Sequence, residues 1–174
     1  MTAVRWTTVD SPVGTLTVAG TDAGVVRLAF GGERPDDVVA GLELAVGPAA
    51  EDAAALDGVR RQLDEWFDGR RHEFDVAVDW RLTSAFTRRV LEATAAIPYG
   101  CTDTYGGVAH RIGRPGAARA VGNALGANPV ALVVPCHRVL AAGGIGGFGG
   151  GLEVKRRLLD LEATGASSVA ATLW

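Results

Sequence analysis

The tightest constraint on this chain is a short run, Val130-Ala131-Leu132-Val133-Val134, that passes without a polar spacer into Pro135-Cys136-His137-Arg138-Val139. Five consecutive apolar residues bounded by prolines predict a buried strand that stops abruptly. A fold built on this sequence must enclose the run and deliver a cysteine, a histidine and an arginine at its end.

The rest of the chain can supply that enclosure. With 174 residues and 48% hydrophobic content it can bury a core in one or two small domains. No stretch reaches the roughly 20 apolar residues of a membrane span. The first ten residues lack the charged-then-apolar pattern of a signal peptide, so the expected compartment is the cytoplasm. Cys101 and Cys136 have no CxxC spacing and no histidine-rich companion cluster, which suggests neither a disulfide framework nor a zinc site.

The net charge of −3 hides an asymmetry. Residues 1–79 carry 7 Lys/Arg against 15 Asp/Glu, a balance of −8, whereas residues 80–174 carry 10 against 5, a balance of +5. An acidic supporting domain over 1–79 and a basic domain over 80–174 that meets a polyanion are expected from this split.

In the acidic half, Val4–Asp10, Thr15–Gly20 and Val25–Phe30 are β-rich and separated by turn compositions, predicting an antiparallel meander. A helix is expected after Pro35 and another over about Ala50–Phe67, where Leu56, Val59, Leu63, Trp66 and Phe67 share a face. Phe74, Val76 and Val78 alternate with polar residues as in a half-buried strand, and His72 reads as a loop or edge residue. This is a small α/β scaffold without a catalytic cluster.

The basic half reads as mostly helical. Thr83 or Ser84 can cap a helix with Phe86, Val90, Ala93 and Ile97 inward, stopped by Pro98-Tyr99-Gly100. Thr104 caps a second, and Gly113-Arg114-Pro115-Gly116 turns the chain into a third over about Ala117–Gly126, giving a helix-turn-helix candidate. Arg119 lies two residues, about 200°, from the inward Val121, so it faces outward with Gly122, Asn123 and Gly126. Two readings of this face stand open: a small-residue surface with one arginine that suits a minor groove and a distorted duplex, or a loosened surface helix with a solvated charge.

Asn128-Pro129 ends that helix and leads into the apolar run. Beyond Cys136, the stretch Gly143–Gly151 contains seven glycines and lets backbone approach a flat ligand, although no Gly-Lys-Ser/Thr follows to make a phosphate loop. A last helix begins near Leu152 with Val154, Leu158 and Leu161 inward, which puts Glu162 at the edge of the buried stripe, where a carboxylate needs a partner. His137 oriented by Glu162 could then accept the thiol proton of Cys136, directly or through a water.

These residues resemble the O6-alkylguanine-DNA alkyltransferases, also called methylated-DNA-protein-cysteine methyltransferases. Pro135-Cys136-His137-Arg138-Val139 matches that family's active-site motif in full. The likeness extends through Ile97-Pro98-Tyr99-Gly100, Thr104-Tyr105, Ala117–Gly122, Asn128-Pro129 and the glycine run before Leu152. It implies an α/β amino-terminal domain of ribonuclease H-like type, an antiparallel sheet with helices, followed by a mostly α domain with a helix-turn-helix.

It also implies direct-reversal DNA repair. An alkyl group would pass from O6-alkylguanine, with O4-alkylthymine as a further candidate, irreversibly and once to Cys136 after base flipping through the minor groove. On that resemblance His137 and Glu162 form the proton relay, and Asn128 orders the turn before the active-site run. Arg119 fills the space of the extruded nucleotide, with Arg114, Gly122 and Asn123 on the DNA face. Tyr105 pushes the phosphate and bonds the purine, while Val139, Phe148 and the amide of Gly149 line the base pocket. The expected partner is double-stranded DNA carrying O6-alkylguanine, with no membrane, no metal and no other cofactor, and the expected state is a monomer.

The sequence departs from the family pattern at Leu91 for a frequent tryptophan, Cys101 for an acidic residue and Phe148 for a frequent tyrosine, and the link from Val139 to Phe148 is one residue short. Two readings from other classes remain: a lesion-sensing binder that flips bases without chemistry, and a cysteine hydrolase resting only on adjacent Cys136 and His137.

Overall fold

A computed structural model describes residues 1–172 of the chain. They pack as two compact units, one made of Met1–Leu82 with Pro129–Ala131, the other of Thr83–Asn128 with the chain from Leu132 onward.

In the first unit the expected meander forms. β1 (Val4–Val9), β2 (Leu16–Thr21) and β3 (Gly24–Ala29) pair antiparallel in sequence order. The first turn closes because Gly14 adopts a φ of 103° that a side chain would resist, while the Ser11 hydroxyl donates to its carbonyl at 2.6 Å. Helix α1 (Pro35–Ala45) starts on its proline and lays Val38 and Leu42 over Val4, Ala19, Val26 and Ala29.

Two sequence expectations need correction here. The helix expected from Ala50 begins only at Asp57, as α2 (Asp57–Phe67). Ala49–Glu51 instead form β4, which pairs parallel with the open edge of β1 and gives the strand order β3-β2-β1-β4. A sheet edge offers these residues backbone partners that a lone first turn of helix cannot. The alternating Phe74–Val78 segment is not a strand either, for only Val78 bridges to Val25. Gln62 on α2 takes the place of a neighbouring strand, its amide donating to the Asp75 carbonyl at 3.0 Å and accepting from the Asp75 N–H at 2.8 Å.

The second unit is mainly helical. Ser84 caps α3 (Ala85–Ala95) by accepting from the Thr87 N–H at 3.1 Å, and Val90, Leu91, Thr94 and the following Ile97 are buried. Thr104 caps α4 (Tyr105–Arg111) in the same way through Gly107 at 3.0 Å. A tight turn with Gly113 at φ 75° leads to α5 (Ala118–Gly126), which packs on α3 and α4. This is the helix-turn-helix expected from sequence. The last element of the described residues is α6 (Leu152–Thr172).

The apolar run itself is the largest local correction. Val130–Val134 is buried for the most part but does not form a regular strand. Val130 bridges to Leu28, whose N–H bonds the Pro129 carbonyl at 2.8 Å, and the chain then turns at Leu132, a buried leucine at φ 69°. A left-handed leucine costs on the order of 1 kcal/mol, which the packing of its side chain offsets. The strand that sequence placed before the cysteine comes after it: β6 (Val139–Leu140) pairs parallel with β5 (Asp103–Thr104) immediately before α4.

Candidate active site

Cys136, His137 and Arg138 form one 3-10 turn between Val134 and β6, and all three are buried. The turn is held from behind. Asn128, two residues past α5, donates its side-chain N–H to the Val134 carbonyl at 3.1 Å, so the end of α5 and the residues before the thiol are tied together. The same amide side chain hydrogen-bonds Cys136.

Glu162, one helical turn after Leu158 on α6, is the hub of the buried polar network at 1% exposure. One carboxylate oxygen faces His137 Nε2 at 2.9 Å and takes Arg138 Nη2 at 2.6 Å and Nε at 2.9 Å, and the second oxygen lies 3.1 Å from Arg138 Nε. Arg138 spends its remaining amino group on the Ile97 carbonyl at 2.7 Å, and its guanidinium centre stands 5.7 Å from the Tyr99 ring centroid. The partner that a carboxylate on this stripe requires is thus a pair of side chains.

The second buried cation is Lys155, 1% exposed, whose Nζ donates to the Val139 carbonyl at 2.7 Å and to the Gly147 carbonyl at 3.0 Å. It joins β6 to the glycine-rich loop. That loop is also tied to α4, since the Gly147 N–H donates to the Tyr105 hydroxyl at 3.1 Å. Between them lies a cavity of about 150 Å³, lined by Tyr105, Gly122, Leu125, Gly126, Cys136, Gly147, Phe148 and Gly149. Four of the eight lining residues are glycines, so the walls are largely backbone, as a planar ligand would need.

Burial is the largest single influence on every group here. It pushes the Cys136 thiol up, against the Asn128 hydrogen bond, the Lys155 charge and the backbone amides of residues 136 and 137. It pushes the His137 imidazole down, which Glu162 opposes and Arg138 and Lys155 reinforce. Burial alone would raise the Glu162 carboxyl, but hydrogen bonds from His137 and Arg138 outweigh it and hold the group below the usual range. Lys155 is lowered by burial and drawn back by Cys136. The resting site therefore holds a neutral thiol, a neutral imidazole and an ionised carboxylate.

The sequence-predicted residues fall into three groups, with Val139 apart from them. Cys136, His137, Glu162 and Asn128 form the buried network, and Tyr105, Phe148, Gly149 and Gly122 line the cavity with Cys136. Arg119, Asn123 and Arg114 are exposed on α5 and the turn before it, away from the cavity lining. Val139 is fully buried, pairs with Asp103 and offers its carbonyl to Lys155, and it is not among the residues lining the cavity. Sequence reasoning missed Lys155 and gave Arg138 no role. The signal for Lys155 was present: it stands three residues before Leu158 and seven before Glu162, on the buried stripe, where an unpaired lysine would be costly.

A buried thiol that opens into a backbone-walled cavity, beside an imidazole and a carboxylate, defines a cysteine-nucleophile site carried on a helix-turn-helix domain. Residues 85–164 match the 6-O-methylguanine DNA methyltransferase DNA binding domain, and residues 4–80 match the ribonuclease-like domain of the same family. The methylated-DNA-protein-cysteine methyltransferase of Mycolicibacterium paratuberculosis is 46% identical over 160 residues, covering 91% of this chain and 92% of the relative. That of Mycobacterium tuberculosis is 44% identical over 168 residues, covering 94% of each. The crystal structure of Mycobacterium tuberculosis OGT in complex with DNA superimposes with a TM-score of 0.81 at 42% identity, covering 94% of each chain. The chain belongs to the 6-O-methylguanine DNA methyltransferase family.

Proposed function

We propose that this protein repairs DNA by moving the alkyl group of O6-alkylguanine in a duplex to its own Cys136, once per molecule. The observation that carries this reading is the position of Cys136: it lines the cavity, and on the same 3-10 turn it directly precedes His137, whose ring meets Glu162 at 2.9 Å. Family membership supports it, as does the DNA-bound state of the mycobacterial relative.

The step balances without a further reagent. Sulfur attacks the alkyl carbon, the S–C bond forms as the O6–C bond breaks, and the thiol proton passes by way of His137 to the departing guanine. The product thioether has no proton to lose and no route back to the thiol, so the cysteine is consumed. Thiolate formation against burial is brief in this scheme. Lys155 and the backbone amides at the turn stabilise the charge until the carbon arrives.

A guanine within a duplex cannot reach a thiol at the bottom of a cavity, so the nucleotide must be extruded at a cost of a few kcal/mol. Arg119, exposed on α5, occupies the vacated stack from the minor groove, with Arg114 and Asn123 against the backbone and Gly122 permitting close approach. Tyr105 and the Gly149 amide meet the purine, and Phe148 covers it. The same cavity is open to O4-alkylthymine, and the protein acts as a monomer.

Incubation with a duplex containing one O6-methylguanine should add one methyl group to Cys136, never more than one per molecule, as read by intact-mass and peptide mass spectrometry. Arg119→Ala should slow transfer from the duplex far more than transfer from the free O6-alkylguanine base. Absence of the adduct, or multiple turnovers, would refute the reading.

A further inference from the structure

The network leaves one buried group without a part in the transfer. Arg138 is 6% exposed, yet it commits its guanidinium to Glu162 through Nε and Nη2 and to the Ile97 carbonyl through Nη1. Two of its three Glu162 contacts, the shorter ones, converge on the oxygen that faces His137, and the third reaches the other oxygen at 3.1 Å.

We infer that Arg138 is the positioning residue that keeps Glu162 an ionised acceptor and thereby fixes the proton of neutral His137 on Nε2, leaving Nδ1 as the base for the Cys136 thiol. This rests on the alkyl-transfer reading for its use, but its physical content concerns the resting protein alone. A carboxylate has no proton to give, so an imidazole nitrogen 2.9 Å from it must be the donor. Were Glu162 protonated, the bond could reverse, with the carboxylic acid donating to Nε2 and the proton of the ring sitting on Nδ1. That tautomer cannot accept from a thiol at Nδ1. Arg138, two residues from Cys136 and bonded through a planar fork, makes the protonated acid unfavourable.

Its charge has a second effect on the same nitrogen. The charged and titratable groups around His137 are Glu162 and Lys155 from α6, Arg138 and Cys136 from its own turn, and Tyr99 after α3 beneath Arg138. With Arg138 and Glu162 compensating each other, protonation of His137 would add an uncompensated positive charge beside Lys155. The imidazole is accordingly held neutral and ready. Without Arg138, Glu162 would hold an imidazolium as its only counter-ion, and the base would be occupied before the lesion arrives.

Two variants separate these possibilities. Arg138→Gln keeps a donor for Glu162 and removes the charge, and Arg138→Lys keeps the charge and removes the fork. In ¹⁵N-histidine spectra of the free wild type, His137 should be neutral with its proton on Nε2 at neutral pH. In Arg138→Gln it should be protonated on both nitrogens, or on Nδ1. The single-turnover transfer rate of Arg138→Gln should fall about a hundredfold at neutral pH, the lower end of what a positioned base contributes, and recover as the pH rises. Arg138→Lys should restore most of the rate and the wild-type tautomer. A wild-type His137 carrying its proton on Nδ1 would overturn the inference without any variant. So would an Arg138→Gln protein with the wild-type tautomer and an unshifted rate–pH profile, or an Arg138→Lys protein as impaired as Arg138→Gln. The spectra need no DNA, so failure of the alkyl-transfer reading would show separately, as a wild type that takes no methyl group.

Discussion

Replacing Lys155 by methionine tests the site at a point where stability and reactivity can be read independently. Methionine keeps the unbranched chain to within one atom of its length and removes its charge and its three donors. Two carbonyls lose their partner: that of Val139, at a fully buried residue, and that of Gly147, at an exposed one where water can substitute. The Val139 carbonyl therefore dominates, and a buried acceptor left unsatisfied costs about 1–3 kcal/mol. For a chain of this size each kcal/mol shifts the melting temperature by roughly 2–4 °C, so a loss of about 2–12 °C is expected.

The chemical effect has a different sign test. The Lys155 charge is one of the influences that oppose the upward push of burial on the Cys136 thiol. Without it the thiol rises further, and each unit of rise cuts the thiolate fraction, and with it alkylation by iodoacetamide, about tenfold at a given pH below the pKa. The assay follows carboxamidomethylation of the Cys136 peptide against pH by mass spectrometry, which separates it from the exposed Cys101. A variant that melts lower but alkylates Cys136 along the wild-type curve would show that Lys155 only braces β6 and the loop. A variant that alkylates more slowly without melting lower would show that the two carbonyls do not depend on it.

Two further outcomes are expected. A Cβ at Gly107 would overlap the Asp103 carboxylate, which bonds the Thr104 N–H at 2.7 Å and pairs with Arg111 at 2.9 Å. Gly107→Ala should therefore cost about 1–3 kcal/mol in thermal unfolding, and less when combined with Asp103→Ala; equal costs in both backgrounds would remove the carboxylate as the cause. Acid should destabilise the second unit in two stages. His137 is lowered in the folded state, so the unfolded chain binds its proton first, and stability is lost as the pH falls below about 6.5; Glu162 is also lowered, so its contribution disappears as the pH falls below about 4.3 towards its folded value. Melting temperatures between pH 8 and 5 should fall less for His137→Gln than for the wild type, and parallel curves would contradict the assignment.

The parts of the fold legible in sequence are those governed by local rules. The meander was marked by turn residues such as Gly14, the helix ends by Ser84 and Thr104, and the helix-turn-helix by Gly113 between two apolar stripes. The stretches that failed are those whose backbone partners are distant. Ala49–Glu51 carry no strand pattern and become β4 only because β1 has an open edge. Phe74–Val78 carry the pattern and do not form a strand, because Gln62 meets their backbone instead.

The sequence by itself determined the family, since Pro135–Val139 matches the alkyltransferase motif in full and the likeness runs on through Tyr105 and Asn128. Only the tertiary structure decided how the Cys136 thiol is governed. It placed Cys136 on a 3-10 turn after a left-handed Leu132 rather than at the end of a strand, gave Glu162 two partners, and buried Lys155 against carbonyls of β6 and the glycine loop. The reason is physical. Residue identity fixes which groups can ionise or attack, but their charge states depend on burial and on neighbours brought from 24 to 25 residues away in the chain, as Arg138 and His137 are from Glu162. No local pattern encodes those distances.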